Sequence, residues 1–132
     1  MRKNATTLRV LIVDDEPLIL CCLSRFLEKS AVVKTVATAE EAIDEIRAQH
    51  YDLCFLDITL PGMMTGLDAM KIIKELSPNT KVAIMTGALL DEAMKEQVED
   101  FAYTFIPKPF SLSDIEEVAD RVAVTLNQQE PL

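Results

Sequence analysis

The stretch RVLIVDDEPLIL, residues 9–20, decides how this chain folds. Val10 to Val13 form an apolar run without alternation, the pattern of a strand covered on both faces. The run then meets three consecutive acids, Asp14, Asp15 and Glu16, followed by Pro17, a residue suited to a first helical turn. A strand built for burial that delivers carboxylates to its own tip and turns at once into a helix reads as the start of a βα unit. Chemistry is to be sought at that tip.

The same alternation recurs along the chain. Residues 8–14, 31–37, 51–57, 81–86 and 103–107 read as five strands, most of them apolar throughout. Helical patterns are expected near 17–29, 39–49, 67–76, 90–100 and 112–126. Thr38 with Glu41 has the spacing of a capping box, and Ser111 with Asp114 that of a weaker one. In the second helix Ala39, Ala42, Ile43 and Ile46 share one face, while Glu40, Glu41, Asp44, Glu45 and Arg47 take the other. In the last, Ile115, Val118, Ala119 and Val122 face inward, opposite Glu116, Glu117 and Asp120. Five βα repeats predict an α/β fold, a doubly wound parallel sheet with right-handed crossovers and helices on both sides.

Composition sets limits on partners. The 132 residues fit a single domain over 1–132, with a core of about 8–126 and a short polar tail at 127–132, and 49% hydrophobic residues supply that core. Thirteen basic against twenty-two acidic residues give a net charge of −9, which opposes binding to nucleic acid or anionic membranes, and no basic cluster stands out beyond Arg2 and Lys3. Apolar runs fall far short of the roughly 20 residues of a membrane span and no signal pattern precedes them, so a cytoplasmic location is expected. Cys21, Cys22 and Cys54 lack metal-site spacing and read as reduced, buried space-fillers. Met63, Met64 and Met70 read most simply as gap fillers, although exposed methionines in the loop would suit an adaptable partner surface, and His50 is assigned no chemistry.

Ligands of open α/β sheets bind beyond the carboxyl ends of the strands. The ends of strands one, three, four and five carry Asp14 with Asp15, Asp57, Thr86 and Lys108. Three carboxylates, a hydroxyl and an ammonium therefore converge in one crevice. Converging carboxylates repel unless a proton or cation relieves them, and a hard ion such as Mg²⁺, which needs only a few protein oxygens, is the natural partner. Lys108 and Thr86 suit phosphoryl oxygens, and an aspartate so placed can act as a nucleophile and form an acyl phosphate. The chemistry indicated is phosphoryl transfer to Asp57.

In this order and spacing, VDDEP, LDITLPGMMTG, MTG and FIPKPF resemble the receiver domain of two-component response regulators, over roughly residues 8–126. The resemblance implies a flavodoxin-like fold with strand order 2-1-3-4-5. It implies Asp57 as phosphoacceptor; Asp15, Asp57 and the backbone carbonyl of Thr59 on Mg²⁺, with Asp14 acting through water; Thr86 and Phe105 as a switch pair; and Lys108 as the site lysine, followed by a cis bond to Pro109. It implies a phosphorylation-dependent signalling switch rather than a conventional enzyme. Such a switch takes its phosphoryl group from a histidine kinase or phosphotransfer protein and catalyses its own phosphorylation and dephosphorylation. A face built from the fourth helix, fifth strand and fifth helix would speak to a partner or output domain. No DNA-binding element follows the last helix, so output through protein contact is expected, from a stand-alone receiver or one within a larger regulator.

Departures from the family pattern are local. PGMMTG holds one extra residue and places Thr65 where an acid is usual, Phe101 stands where glycine is frequent, and Gly87 follows Thr86. Asp14 has a simpler reading as a cap for the Pro17 helix, which leaves Asp15, Asp57 and Lys108 unexplained. A haloacid-dehalogenase-type phosphatase would want an acid two residues after its nucleophile, where Thr59 stands. A flavodoxin-like module without phosphorylation would want a hydroxyl-rich loop in place of DDEP, whose charge repels phosphate without metal.

Overall fold

The computed structural model describes residues 7–128. Its elements alternate as β1 (Leu8–Val13), α1 (Pro17–Leu27), β2 (Ala31–Val36), α2 (Ala39–Ala48), β3 (Leu53–Asp57), α3 (Gly66–Leu76), β4 (Lys81–Thr86), α4 (Glu92–Phe101), β5 (Thr104–Pro107) and α5 (Leu112–Gln128). The strands form one parallel sheet in the order β2-β1-β3-β4-β5. Its register sets Val13 beside Leu56, Asp57 beside Met85 and Thr86 beside Pro107, so four strand tips end at nearly one level. No helix among the described residues is long and apolar enough to cross a membrane. Arg2, Lys3 and residues 129–132 lie outside the described residues. Asn127 and Gln128, expected in the tail, extend α5 instead.

The pleat divides each central strand between two cores. Leu11, Val13, Cys54, Leu56, Val82 and Ile84 face one side, where α2, α3 and Val98 of α4 cover them. Val10, Ile12, Leu53, Phe55, Ala83 and Met85 face the other, beneath Leu23 and Leu27 of α1 and Ile115, Val118 and Val122 of α5. This two-sided burial is why β1, β3 and β4 are apolar at nearly every position. The edge strands differ: β2 alternates between half-buried and exposed residues up to Val36, and β5 buries Ile106 between the more exposed Phe105 and Pro107. The helix faces expected for α2 and α5 are the ones that pack, Ala119 being half-buried.

Caps explain where the helices start. Thr38 accepts from the Glu41 amide at 3.1 Å, while the Glu41 carboxylate returns a bond to the Ala37 amide rather than to Thr38's own. Ser111 and Asp114 form a reciprocal box at 2.9 and 3.2 Å. Two caps were not anticipated. Thr65 boxes with Asp68, and Asp91 accepts from the Met94 amide at 2.8 Å, which starts α4 two residues later than expected. α4 then runs through Phe101, whose ring packs on the core.

Two expectations about burial need correction. Cys21 and Cys22 are exposed and only Cys54 is buried. LILCCL is apolar at every position, but a helix of 3.6-residue period turns one stripe inward, and Leu23 and Leu27 occupy it. Met70 is fully buried as a filler, whereas Met63 is 98% exposed at the crest of the loop before α3.

Candidate functional site

β1 ends at Val13 because the next residue turns its side chain into the site. Asp14 is fully buried; its amide donates to the Val36 carbonyl, and its Oδ1 accepts from the Glu16 amide at 2.9 Å, bending the chain into α1. Its Oδ2 accepts from Lys108 Nζ at 2.8 Å. Asp14 thus forms the turn and faces the site, but it does not cap α1, whose N-cap Glu16 receives no side-chain bond from the first turn. Asp57 closes β3 at 4% exposure, with Oδ1 accepting from the Thr59 amide at 3.0 Å and Oδ2 from Lys108 Nζ at 2.9 Å. Lys108 is held by its backbone, whose amide donates to the Thr86 carbonyl at 2.8 Å. Its bond to Pro109 is cis.

Glu16 joins this set, with its Oε1 3.3 Å from Lys108 Nζ. Carboxylate oxygens of Asp14, Glu16 and Asp57 lie within 4.8 Å of one another. Three carboxylates against one ammonium leave two negative charges uncompensated. Burial pushes the Asp57 carboxyl above its ordinary 3.8; the bonds from Lys108 and Thr59 oppose that push, and the Asp14 charge adds to it. For Lys108 burial works to lower the pKa, but the bonds to Asp14 and Asp57 outweigh it, so the group is raised and stays charged.

Sequence reasoning gave Glu16 no role. The signal was present: a third acid directly before a helix, in a position where serine, threonine, aspartate or asparagine is preferred. Asp15, expected on a metal together with Asp57 and the Thr59 carbonyl, is exposed and lies outside the close carboxylate cluster. Thr59 is exposed on the loop after Asp57.

Thr86 is buried, and its hydroxyl accepts from the Ala88 amide at 3.0 Å, so in this conformation it serves the β4–α4 turn. Phe105 is 40% exposed and lines an apolar groove of about 410 Å³ with Ala88, Leu89, Leu90, Lys95, Val98 and Glu99. The turn that carries Thr86 therefore also forms one wall of the groove containing the ring. His50 sits at the opposite end of the sheet, paired with Asp52 at 3.2 Å.

Gly66 accounts for the loop after Asp57. A Cβ there would lie 2.1 Å from the Asp57 carbonyl oxygen and 2.6 Å from Ile58 Cα, both backbone, and the Gly66 amide donates to the Ile58 carbonyl at 3.0 Å. The chain must return this closely to β3. The additional residue is taken up in the loop before Gly66, where Gly62 has φ of 100° and Met63 stands in solvent.

The donor set suits a hard divalent cation, because every ligand atom in the cluster is a carboxylate oxygen and two charges await neutralisation. The arrangement offers a nucleophilic oxygen on Asp57, an ammonium beside it and a place for such an ion.

Comparison with known proteins agrees in fold. The family model described as the response regulator receiver domain matches residues 10–120. The chain is 32% identical over 121 residues to the chemotaxis protein CheY of Thermotoga maritima, covering 87% of this chain and 97% of that one. To the nitrogen assimilation regulatory protein NtrX of Azorhizobium caulinodans it is 35% identical over 119 residues, covering 89% of this chain but 26% of that protein. A crystal structure of a CheY-like receiver domain protein from Methanospirillum hungatei superposes with a TM-score of 0.87 at 27% identity, covering 95% of this chain and all of the other.

Proposed function

Since the chain belongs to the response regulator receiver domain family and is a phosphorylation-dependent signalling module rather than a classical enzyme, we propose that Asp57 is its phosphoacceptor. The observation that carries the assignment is the convergence of Asp14, Glu16 and Asp57 on Lys108 Nζ at 2.8 to 3.3 Å. An Asp57 oxygen forms the new bond to phosphorus. The bond from phosphorus to the donor's leaving atom breaks, and its electron pair departs with acetate, or with a histidine imidazole that then takes a proton. Lys108 holds an oxygen of the transferred group, and Thr86 reaches another when its turn moves. Hydrolysis returns the carboxylate: water bonds to phosphorus, the Asp57–phosphorus bond breaks, and the water's proton passes to phosphate or solvent.

Receiver domains bind Mg²⁺ at an acidic pocket; here Asp14 and Asp57 of the carboxylate cluster would hold it, and the family resemblance would add Asp15 and the Thr59 carbonyl from the adjoining exposed loops. When bound, the ion neutralises charge on both the nucleophile and the incoming oxygens. A histidine kinase or phosphotransfer protein is the donor in this reading. The recipient is a protein or output domain that meets the α4-β5-α5 face, where the apolar groove lies beside Phe105. Signalling by protein contact suits a chain of net charge −9, with no direct role for nucleic acid or membrane in this domain.

Incubation with acetyl phosphate and Mg²⁺, followed by mass spectrometry of peptides, tests the assignment. One phosphoryl group per chain is expected, on Asp57, lost in Asp57→Asn and absent after chelation. Label at parental stoichiometry on the Asn variant refutes the phosphoacceptor, and full-rate labelling in chelator refutes the metal.

A further inference from the structure

We propose that Glu16 is a positioning residue for phosphoryl transfer: its carboxylate engages the third N–H of the Lys108 ammonium and yields it to the incoming phosphoryl oxygen. The inference rests on the reading of Asp57 and Lys108 given above. An ammonium has three N–H donors and no acceptor. Lys108 Nζ has three carboxylate partners, Asp14 at 2.8 Å, Asp57 at 2.9 Å and Glu16 at 3.3 Å. An oxygen arriving at Asp57 therefore finds every N–H engaged, and one partner must let go.

The three partners differ in what release entails. Asp14 is fully buried with its other oxygen committed to the Glu16 amide, so losing Lys108 would strand a charge away from water. Asp57 is the group that receives the phosphoryl, and Lys108 must stay beside it. Glu16 makes the longest of the contacts, and its side chain is 60% exposed, so water takes over its carboxylate at once. Glu16 is the partner most easily released.

The local structure supplies an independent reason to place this side chain in the site. Glu16 is the N-cap of α1, yet its side chain takes no bond from the first helical turn. Thr38, Thr65 and Asp91, at the starts of α2, α3 and α4, all cap through their side chains. Glu16 is longer than those residues and turns toward Lys108 instead.

Two substitutions separate contact from charge. Glu16→Met keeps the length and removes the oxygens; Glu16→Asp keeps the charge and shortens the reach. At Mg²⁺ concentrations shown to saturate each protein, both should lower the half-saturating acetyl phosphate concentration, by about threefold to fivefold for Met, the factor set by loss of an exposed ion pair. The maximal rate should change less. A ¹⁵N-detected signal of the Lys108 ammonium, slowed in solvent exchange in the unphosphorylated parent, should exchange faster in both variants and converge with the parent once beryllofluoride is bound. A half-saturating concentration lowered in Met but parental in Asp would make the effect one of charge alone and overturn the positioning role. Parental values and parental ammonium exchange in both variants would overturn it as well. In either case a parent that labels on Asp57 leaves the site assignment standing, whereas a parent that takes no label overturns that assignment first.

Discussion

Asp57 is a carboxylate that the fold holds at a cost. It is 4% exposed, and burial sets its carboxyl above the ordinary 3.8 despite the bond from Lys108. A carboxyl with a raised folded pKa binds its proton more tightly folded than unfolded. The penalty for ionised Asp57 is therefore fully present above the folded pKa and disappears as pH falls to the ordinary value. Asp57→Asn removes that charge without changing shape, and Lys108 is not stranded, because Asp14 and Glu16 remain its partners. The variant should be more stable at pH 7 by about 1 kcal/mol, a rise of about 3–5 °C in melting midpoint for a domain of this size. The difference from the parent should shrink as pH is lowered toward 3.8. A variant less stable than the parent at pH 7, by calorimetry, would mean that the Lys108 bond outweighs the burial of Asp57.

At the scale of the elements, the tight return of α3 to β3 is the most exacting local feature. A methyl on Gly66 would meet backbone at 2.1 and 2.6 Å, and backbone cannot swing aside as a side chain does. Gly66→Ala should cost about 3 kcal/mol or more and disturb Asp57 with it. At Gly87 the added carbon would meet only Lys108 Cβ at 3.5 Å, ordinary contact, so Gly87→Ala should stay within about 0.5 kcal/mol of the parent. Paired denaturant melts check both; similar losses in the two variants would refute the steric account. The elements themselves were legible because buried strands leave unbroken apolar runs and the helices keep their 3.6-residue stripe. Asp14, Asp57, Thr86 and Lys108 were legible because each stands where such a run stops. Cys21 and Cys22 were misjudged because local apolarity does not say which stripe of α1 faces the sheet. The direction of Glu16 depends on side-chain geometry that spacing alone leaves open, whereas Thr65 with Asp68 has the same spacing as Ser111 with Asp114 and was overlooked. The turn toward Lys108 arises only when β1 and β5, 94 residues apart at the Asp14–Lys108 bond, come to one end of the sheet.

For the molecule as a whole, the question is how phosphate on Asp57 reaches a partner. A phosphoryl group brings about two negative charges and strong acceptor oxygens. The Thr86 hydroxyl is presently engaged by the Ala88 amide, so turning it toward the phosphoryl group breaks that bond and moves the β4–α4 turn. Ala88, Leu89 and Leu90 on that turn line the groove with Phe105, and in the proposed switch the half-exposed ring would take up space that the threonine leaves. A ligand shifts a two-state equilibrium only by its differential affinity, so the two ring positions must lie within a few kcal/mol of each other. Beryllofluoride with Mg²⁺ should therefore change amide hydrogen exchange at 87–95 and 104–108 as well as around Asp15 and Asp57. Thr86→Ala should weaken the distant change while Asp57 still takes phosphate, because the hydroxyl links the site to the face and is not the nucleophile. If protection changes only in the loops around Asp15 and Asp57, phosphate binds without moving this face, and the output must leave the domain by another surface.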